Sequence, residues 1–167
     1  MPEAEFWIER LNLERHPEGG WYRETYRSPG SYDFRGSLPF AGSRSYATSI
    51  HYLLKHGDRS RLHRIHSDEL WYFHAGGPLD VHIFPETGTP SCFTLGLSPD
   101  EGETLHSWVP AGCWFGARMP NDAEPDTYSL VSCVVAPGFD FRDFSFADRQ
   151  QLLANFPAHG DIIRELT

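Results

Sequence analysis

Apolar and polar positions along this chain follow two rhythms. Near the N-terminus Ala4, Trp7, Ile8 and Leu11 recur at helical spacing after Pro2, which predicts a helix over residues 3–14. The segment HPEGG (16–20) ends that pattern. WYRETYRS (21–28) then alternates, with Trp21, Arg23 and Thr25 against Tyr22, Glu24 and Tyr26, and reads as a strand with two usable faces. Residues 29–44 hold three Gly and two Pro and predict a loop or loose hairpin.

From residue 45 the alternation dominates. Apolar-rich runs at 45–54, 79–84, 92–97, 104–109, 114–118 and 128–135 are separated by KHGD, PETGTP and PAG turns. Short strands returning every ~8–12 residues predict an all-β fold, and a double-sheet jelly-roll barrel over a parallel sheet. GFDFRDF (138–144) reads as one more strand, covering the barrel or an interface. Near the end Ser145 and Asp148 stand as a helix N-cap pair, with Phe146, Leu152, Leu153 and Phe156 facing inward and Pro157 closing the helix. No repeat or linker divides the chain, so residues 1–167 are expected to form a single domain.

Composition narrows the function. The net charge is −9, and Lys55 is the single lysine among 14 basic residues, which makes a nucleic-acid backbone an unsuitable partner. The three cysteines, Cys92, Cys113 and Cys133, have no metal-binding spacing and read as reduced thiols. No apolar run approaches the ~18–20 residues of a membrane span. The acidic start MPEAEFWIERL lacks a signal-peptide pattern. These features point to a cytoplasmic protein without membrane or nucleic-acid partners.

The chemistry centres on GDRSRLHRIHSDELWYFHAG (57–76). Gly57, His63, Glu69 and Gly76 are spaced for a hairpin that turns an imidazole and a carboxylate toward one cavity. Period two puts Glu69, Trp71 and Phe73 on one face and His74 on the other. His63 and Glu69 are therefore the candidate catalytic pair, a carboxylate fixing a ring that moves protons. Trp71, Phe73, Trp114, Phe115 and Arg23 are the candidate ligand contacts. Arg44, Arg61 and Arg118 are further candidates for holding an anion.

This frame resembles the first signature motif of the cupin superfamily. At the positions where that superfamily carries its remaining metal-binding histidines the chain has Ile65 and Phe115. A divalent metal would therefore need His63 and Glu69 together with His51, His74 or His82, and the favoured expectation is a cavity without cofactor. HPEGGWYRETYRS, SIHYLL, SRLHRIHSDELWYFHAG, VPAGCWFGAR and VAPGFDFRDF together resemble the fifth cupin domain family, long catalogued as a domain of unknown function, across residues 16–157. That resemblance implies a double-stranded β-helix with short terminal helices, a small-molecule ligand and a homodimer. GGWYRETY is also similar to the opening of the dehydrorhamnose epimerases, metal-free cupins that use a His base and a Tyr acid on nucleotide-linked sugars. By that similarity His63 matches the base, while no tyrosine is matched to the acid. The functional expectation is epimerase- or isomerase-like proton transfer on a small polar metabolite, with a metal-dependent dioxygenase or isomerase and a non-enzymatic binding protein as the alternatives.

Overall fold

The computed structural model describes residues 2–36 and 39–167; the loop expectation at Ser37 and Leu38 lies outside them. The chain opens with helix α1 (Ala4–Arg10) and continues through β1 (Glu14–Arg15), β2 (Trp21–Arg27), β3 (Ser31–Asp33), β4 (Ser43–Ser45) and β5 (Thr48–Lys55). Then come β6 (Arg59–Arg64), β7 (Asp68–Gly76), β8 (Leu79–Phe84), β9 (Ser91–Leu95) and β10 (Glu103–Thr104). The last elements are β11 (His106–Val109), β12 (Trp114–Arg118), β13 (Tyr128–Ala136), β14 (Ser145–Phe146), α2 (Arg149–Asn155) and α3 (Gly160–Leu166).

These strands correct the expectation of an all-β jelly-roll barrel, the double-stranded β-helix. The fold is mixed α/β, with three separate sheets and none closed into a barrel. One six-stranded sheet runs β1-β2-β5-β13-β7-β11, another runs β10-β9-β8-β12-β6-β14, and β3 pairs with β4 alone. Backbone pairing ends at the edge strands, so among the described residues no ladder links the two large sheets. Side chains join them instead. Tyr52, Trp71, Phe73, Val131 and Cys133 of the first sheet pack against Leu79, Val81, Leu95, Phe115 and Ala117 of the second in one buried core.

Helices cover the outer faces. On α1, Trp7 and Ile8 pack beside Leu53 and Leu130, and the Trp7 indole donates to the Tyr128 hydroxyl at 2.8 Å. Leu152 of α2 and Ile163 and Leu166 of α3 close over Leu62 and Phe84. The C-terminal cap differs from the sequence reading. Asp148, not Ser145, is the N-cap, accepting from the Gln151 amide at 2.8 Å, because Ser145 and Phe146 pair with β6 instead.

Three features position the cavity. A bulge in β2 between Glu24 and Tyr26 shifts the alternation by one residue, so that Tyr22, Glu24 and Arg27 all oppose the inward Tyr52, Ile50 and Thr48 of β5. A second bulge puts an extra residue in β6 between Ser60 and His63, opposite Gly116, and lets both face the first sheet. A Cβ on Gly116 would meet the Ser60 carbonyl at 2.7 Å. The third feature is the segment after β13, which forms a short 3-10 turn at Phe141–Asp143 where a strand was expected. Asp143 anchors that turn: both its oxygens accept from Arg44 at 2.6 Å, and both side chains are buried.

Removing one partner of this pair leaves a buried charge uncompensated, which typically costs roughly 3–5 kcal/mol. Asp143→Ala is accordingly expected to lower stability by that order in urea unfolding, more than the Arg44→Met/Asp143→Leu double variant does. Equal stability of Asp143→Ala and the parent would show that the pair does not anchor the turn.

Candidate functional site

Between the two large sheets lies a cavity of about 530 Å³. Tyr22, Glu24, Arg27, Thr48, Ile50, Glu69, Cys133 and Val135 line it from the first sheet, and His63 from the second. His16 and Glu18 enter from the turn before β2, and Phe139, Asp140 and Phe141 stand along the anchored turn after β13.

The chemistry begins at Glu18. Its segment, HPEGG, folds as a tight loop in which the Gly19 amide donates to the His16 carbonyl at 3.0 Å and the His16 amide to the Gly20 carbonyl at 3.1 Å. Gly19 has φ +115°, and a Cβ there would lie 2.0 Å from the Arg59 carbonyl oxygen, so only glycine brings the loop this close to β6. The Arg61 amide holds the Glu18 carbonyl at 2.9 Å, and the Tyr52 phenol donates to the Gly19 carbonyl at 2.7 Å. Glu18 is thereby turned inward and buried. Ser60 donates to its Oε1 at 2.8 Å, and His63 Nε2 lies 3.1 Å from its Oε2.

The protons on His63 follow from its partners. Nδ1 lies 2.6 Å from the Arg61 carbonyl oxygen, which only accepts, so Nδ1 carries hydrogen. Nε2 faces a carboxylate oxygen, so one proton lies between Nε2 and Glu18 Oε2. The ring is fixed between Phe115, at 4.2 Å between centroids, and Phe144, stacked at 5.1 Å.

His16 is held differently. Its Nδ1 accepts from the Glu18 amide at 3.2 Å, and burial lowers its pKa, opposed by the Glu18 charge. The ring is therefore neutral with its hydrogen on Nε2, and the 3.6 Å approach of Nδ1 to Glu18 is not an ion pair.

Glu69 completes the set from the opposite sheet. Burial first, and then the charge of Glu18, push its pKa up to about 8, against a smaller lowering by a hydrogen bond with Cys133. The Cys133 thiol is itself pushed well up by burial and by Glu69, which makes it a poor nucleophile.

Of the residues expected at the site, His63, Glu69 and Arg23 belong to the cavity lining. The carboxylate beside His63 is Glu18, a partner the sequence reading missed because it took HPEGG only as the end of a helix. Glu69, Trp71 and Phe73 do share the inward face of β7. Trp71 and Phe73 are packed into the core behind the cavity, as is Phe115, whose ring rests on His63 in place of open space. Trp114 points to the outer face, under Arg64 at 4.4 Å and against the C-terminal helices. Arg44 is committed to Asp143, Arg61 lies over Phe146, and Arg118 bonds Asn121.

The further metal ligands do not converge. His51 Nδ1 and His74 Nε2 both meet Ser132 Oγ, at 3.1 and 2.6 Å, on the face of the first sheet turned away from the core. His82 lies on the outer side of the second sheet, where burial lowers its pKa and Asp80, Arg118 and Glu165 act on it by charge. Among the described residues no three His, Cys, Asp or Glu side chains gather to hold a metal ion. The ligand set offered by the sequence therefore does not fit a metal in this cavity. Also among the described residues, no helix is long and apolar enough to cross a membrane.

The family described as "Cupin superfamily (DUF985)" matches residues 5–147. An uncharacterized protein of Saccharomyces cerevisiae is 30% identical over 159 residues, covering 87% of this chain and 78% of that protein. A hypothetical protein from Leishmania major superposes with a TM-score of 0.88 at 36% identity, covering 99% of each chain. A Shewanella oneidensis protein superposes at 0.87 with 40% identity, covering 100% of this chain and 98% of its own. Oxalate decarboxylase from Bacillus subtilis aligns at 0.55 with 20% identity over 94% of this chain and 37% of its own, a likeness of fold alone.

The raised pKa of Glu69 has a consequence for stability. Between the ordinary value of 4.5 and about 8 the folded protein keeps a proton that the unfolded chain has released. The linked stability is full below the lower value and falls as pH rises toward the upper one. In urea midpoints measured from about pH 5 to 9, Glu69→Gln is expected to flatten that decline. Parallel curves for parent and variant would place the titrating group elsewhere.

Proposed function

The chain belongs to the DUF985 family of the cupin superfamily, whose activity is unspecified, and we propose that its cavity binds a small polar carbonyl compound of the sugar class and moves protons on it, as an isomerase or epimerase does. One observation carries the reading. The two sheets present to one cavity a proton held between His63 and Glu18 and a carboxyl, Glu69, whose pKa lies near neutrality.

Each group has a role that its surroundings favour. Glu69 is the base that takes the hydrogen from the carbon beside the carbonyl, since a base works best with a pKa near the working pH. The C–H electron pair moves into the new C=C bond, and the carbonyl electrons move to oxygen. That oxygen takes the proton held between His63 Nε2 and Glu18 and becomes an enol hydroxyl. Loss of the proton leaves a bare Nε2 facing the Glu18 carboxylate, an arrangement that drives its return. Reversal of these steps returns hydrogen to the same carbon, on the other face if the intermediate turns. Delivery to the neighbouring carbon instead requires the hydroxyl of the first carbon to give its proton to His63 Nε2 as the new carbonyl forms there. Glu18 is a positioning residue, since it acts through His63, and Ser60 holds it in place. No step passes through a metal.

Burial of His63 between two phenyl rings favours a second reading, a ligand-binding protein in which the His63–Glu18 pair is purely structural. Solvent exchange separates the two. Incubation in D₂O with free ketoses, aldoses and nucleotide-linked keto sugars is expected to place deuterium beside the carbonyl of at least one. The rate should rise with pH toward about 8 and fall by about 10²–10⁴-fold in Glu69→Gln and His63→Ala. Binding without exchange would select the second reading, and neither binding nor exchange would overturn both.

A further inference from the structure

We infer that the ligand of this cavity is an uncharged polyhydroxylated molecule of monosaccharide type, and not a phosphorylated or nucleotide-linked one. The inference rests on the reading of the cavity as the ligand site, though not on catalysis.

The argument is one of charge already matched inside the wall. Arg27 is the cation of the lining that shares the inward face with Tyr22 and Glu24. Its Nε and Nη2 are bonded to the two Glu24 oxygens at 3.0 and 2.7 Å. Its Nη1 and Nη2 also donate to the Phe139 carbonyl at 3.2 Å. The planar fork that would grip a phosphate is therefore occupied. Arg23 also borders the cavity, but its backbone is in register with His51, in the row of β2 that alternates away from Tyr22 and Glu24, so it reaches the cavity from its rim.

The acidic groups are answered in the same way. Asp140 is held by Arg142 at 2.9 and 2.7 Å, and that contact lowers its pKa. Glu18 shares its proton with His63, and Glu69 keeps its own at neutral pH. Glu14 raises the pKa of the Tyr22 phenol after burial does, so it adds negative charge to the wall. A dianionic ligand would find Arg23 at the rim, but deeper in it would have to expel Glu24 from Arg27 and lie among carboxylates. An uncharged polyol meets acceptors and hydroxyl or imidazole donors without displacing any of them, and Ile50, Val135 and Phe139 offer apolar surface to its C–H faces.

The test measures binding, without turnover, by titration calorimetry and ligand-observed NMR. Matched sets are used at neutral pH: free aldoses and ketoses, their 6-phosphates, uridine-diphosphate sugars and 2-amino sugars. At least one free sugar is expected to bind at least about tenfold more tightly than its phosphate, nucleotide-linked and amino counterparts. Its affinity should hold constant from about 0.01 to 1 M salt. Glu24→Gln, which frees the Arg27 fork, should raise phosphate affinity by about tenfold. Tighter binding of a charged counterpart by the parent protein would overturn the inference, as would failure of every free sugar to bind. An affinity that falls steeply with salt would do the same, even if Glu24→Gln does not fold. Selective binding of free sugar with no deuterium exchange would remove the catalytic proposal alone.

Discussion

One proton, held between an imidazole nitrogen on one sheet and a carboxylate carried by a turn leading into the other, organises this molecule. A buried carboxylate costs several kcal/mol in lost hydration, and Glu18 offsets that cost with Ser60 Oγ on one oxygen and His63 Nε2 on the other. Both partners are on β6, whereas the chain bearing Glu18 continues directly into β2 of the opposing sheet. The contact therefore supplies a polar tie where no ladder runs between the sheets among the described residues. It also sets the charges around it, since the Glu18 carboxylate is the second cause, after burial, of the raised pKa of Glu69.

Backbone geometry makes the contact available. The glycine turn at 19–20 lies against Arg59 and Leu53 with no room for a side chain. The extra residue in β6 brings Ser60 and His63 to the same side, and the extra residue in β2 does the same for Glu24 and Arg27. Regular strands of the same sequence would have turned half of these groups toward the outer faces. Irregular pairing is thus part of the chemistry of the cavity.

The same fact explains what was legible in the sequence. Strand positions, the N-terminal helix and the inward face Glu69–Trp71–Phe73 follow from periodicity, which reports local geometry. The separation into open sheets did not follow, because alternation is identical in a strand of a closed barrel and in one of an open sheet. His63 and Glu69 were legible through their spacing within one hairpin. Glu18 was not, since it meets His63 across 45 residues of chain through a turn whose glycines suggest several structures. The two glycines followed directly by WYRETYRS were the available signal: a turn that tight, flush against a strand, leaves its preceding polar residue very little freedom. Phe115 was misjudged for a related reason. Its place in the pattern is clear, but only tertiary packing puts its ring on one face of His63 and into the core.

The turn at 16–20 also determines how the site comes apart. Its ties to the second sheet are few, and the strand just before it, β1, pairs over two residues only. Short, sparsely paired segments of this kind open at a small fraction of the free energy needed to unfold a whole domain. Lifting residues 14–20 would withdraw Glu18 and peel β1 from the edge of the first sheet, with the other strands still paired and His63 still stacked but its Nε2 without a carboxylate partner. The integrity of the site and the integrity of the fold are therefore separate thermodynamic quantities in this protein.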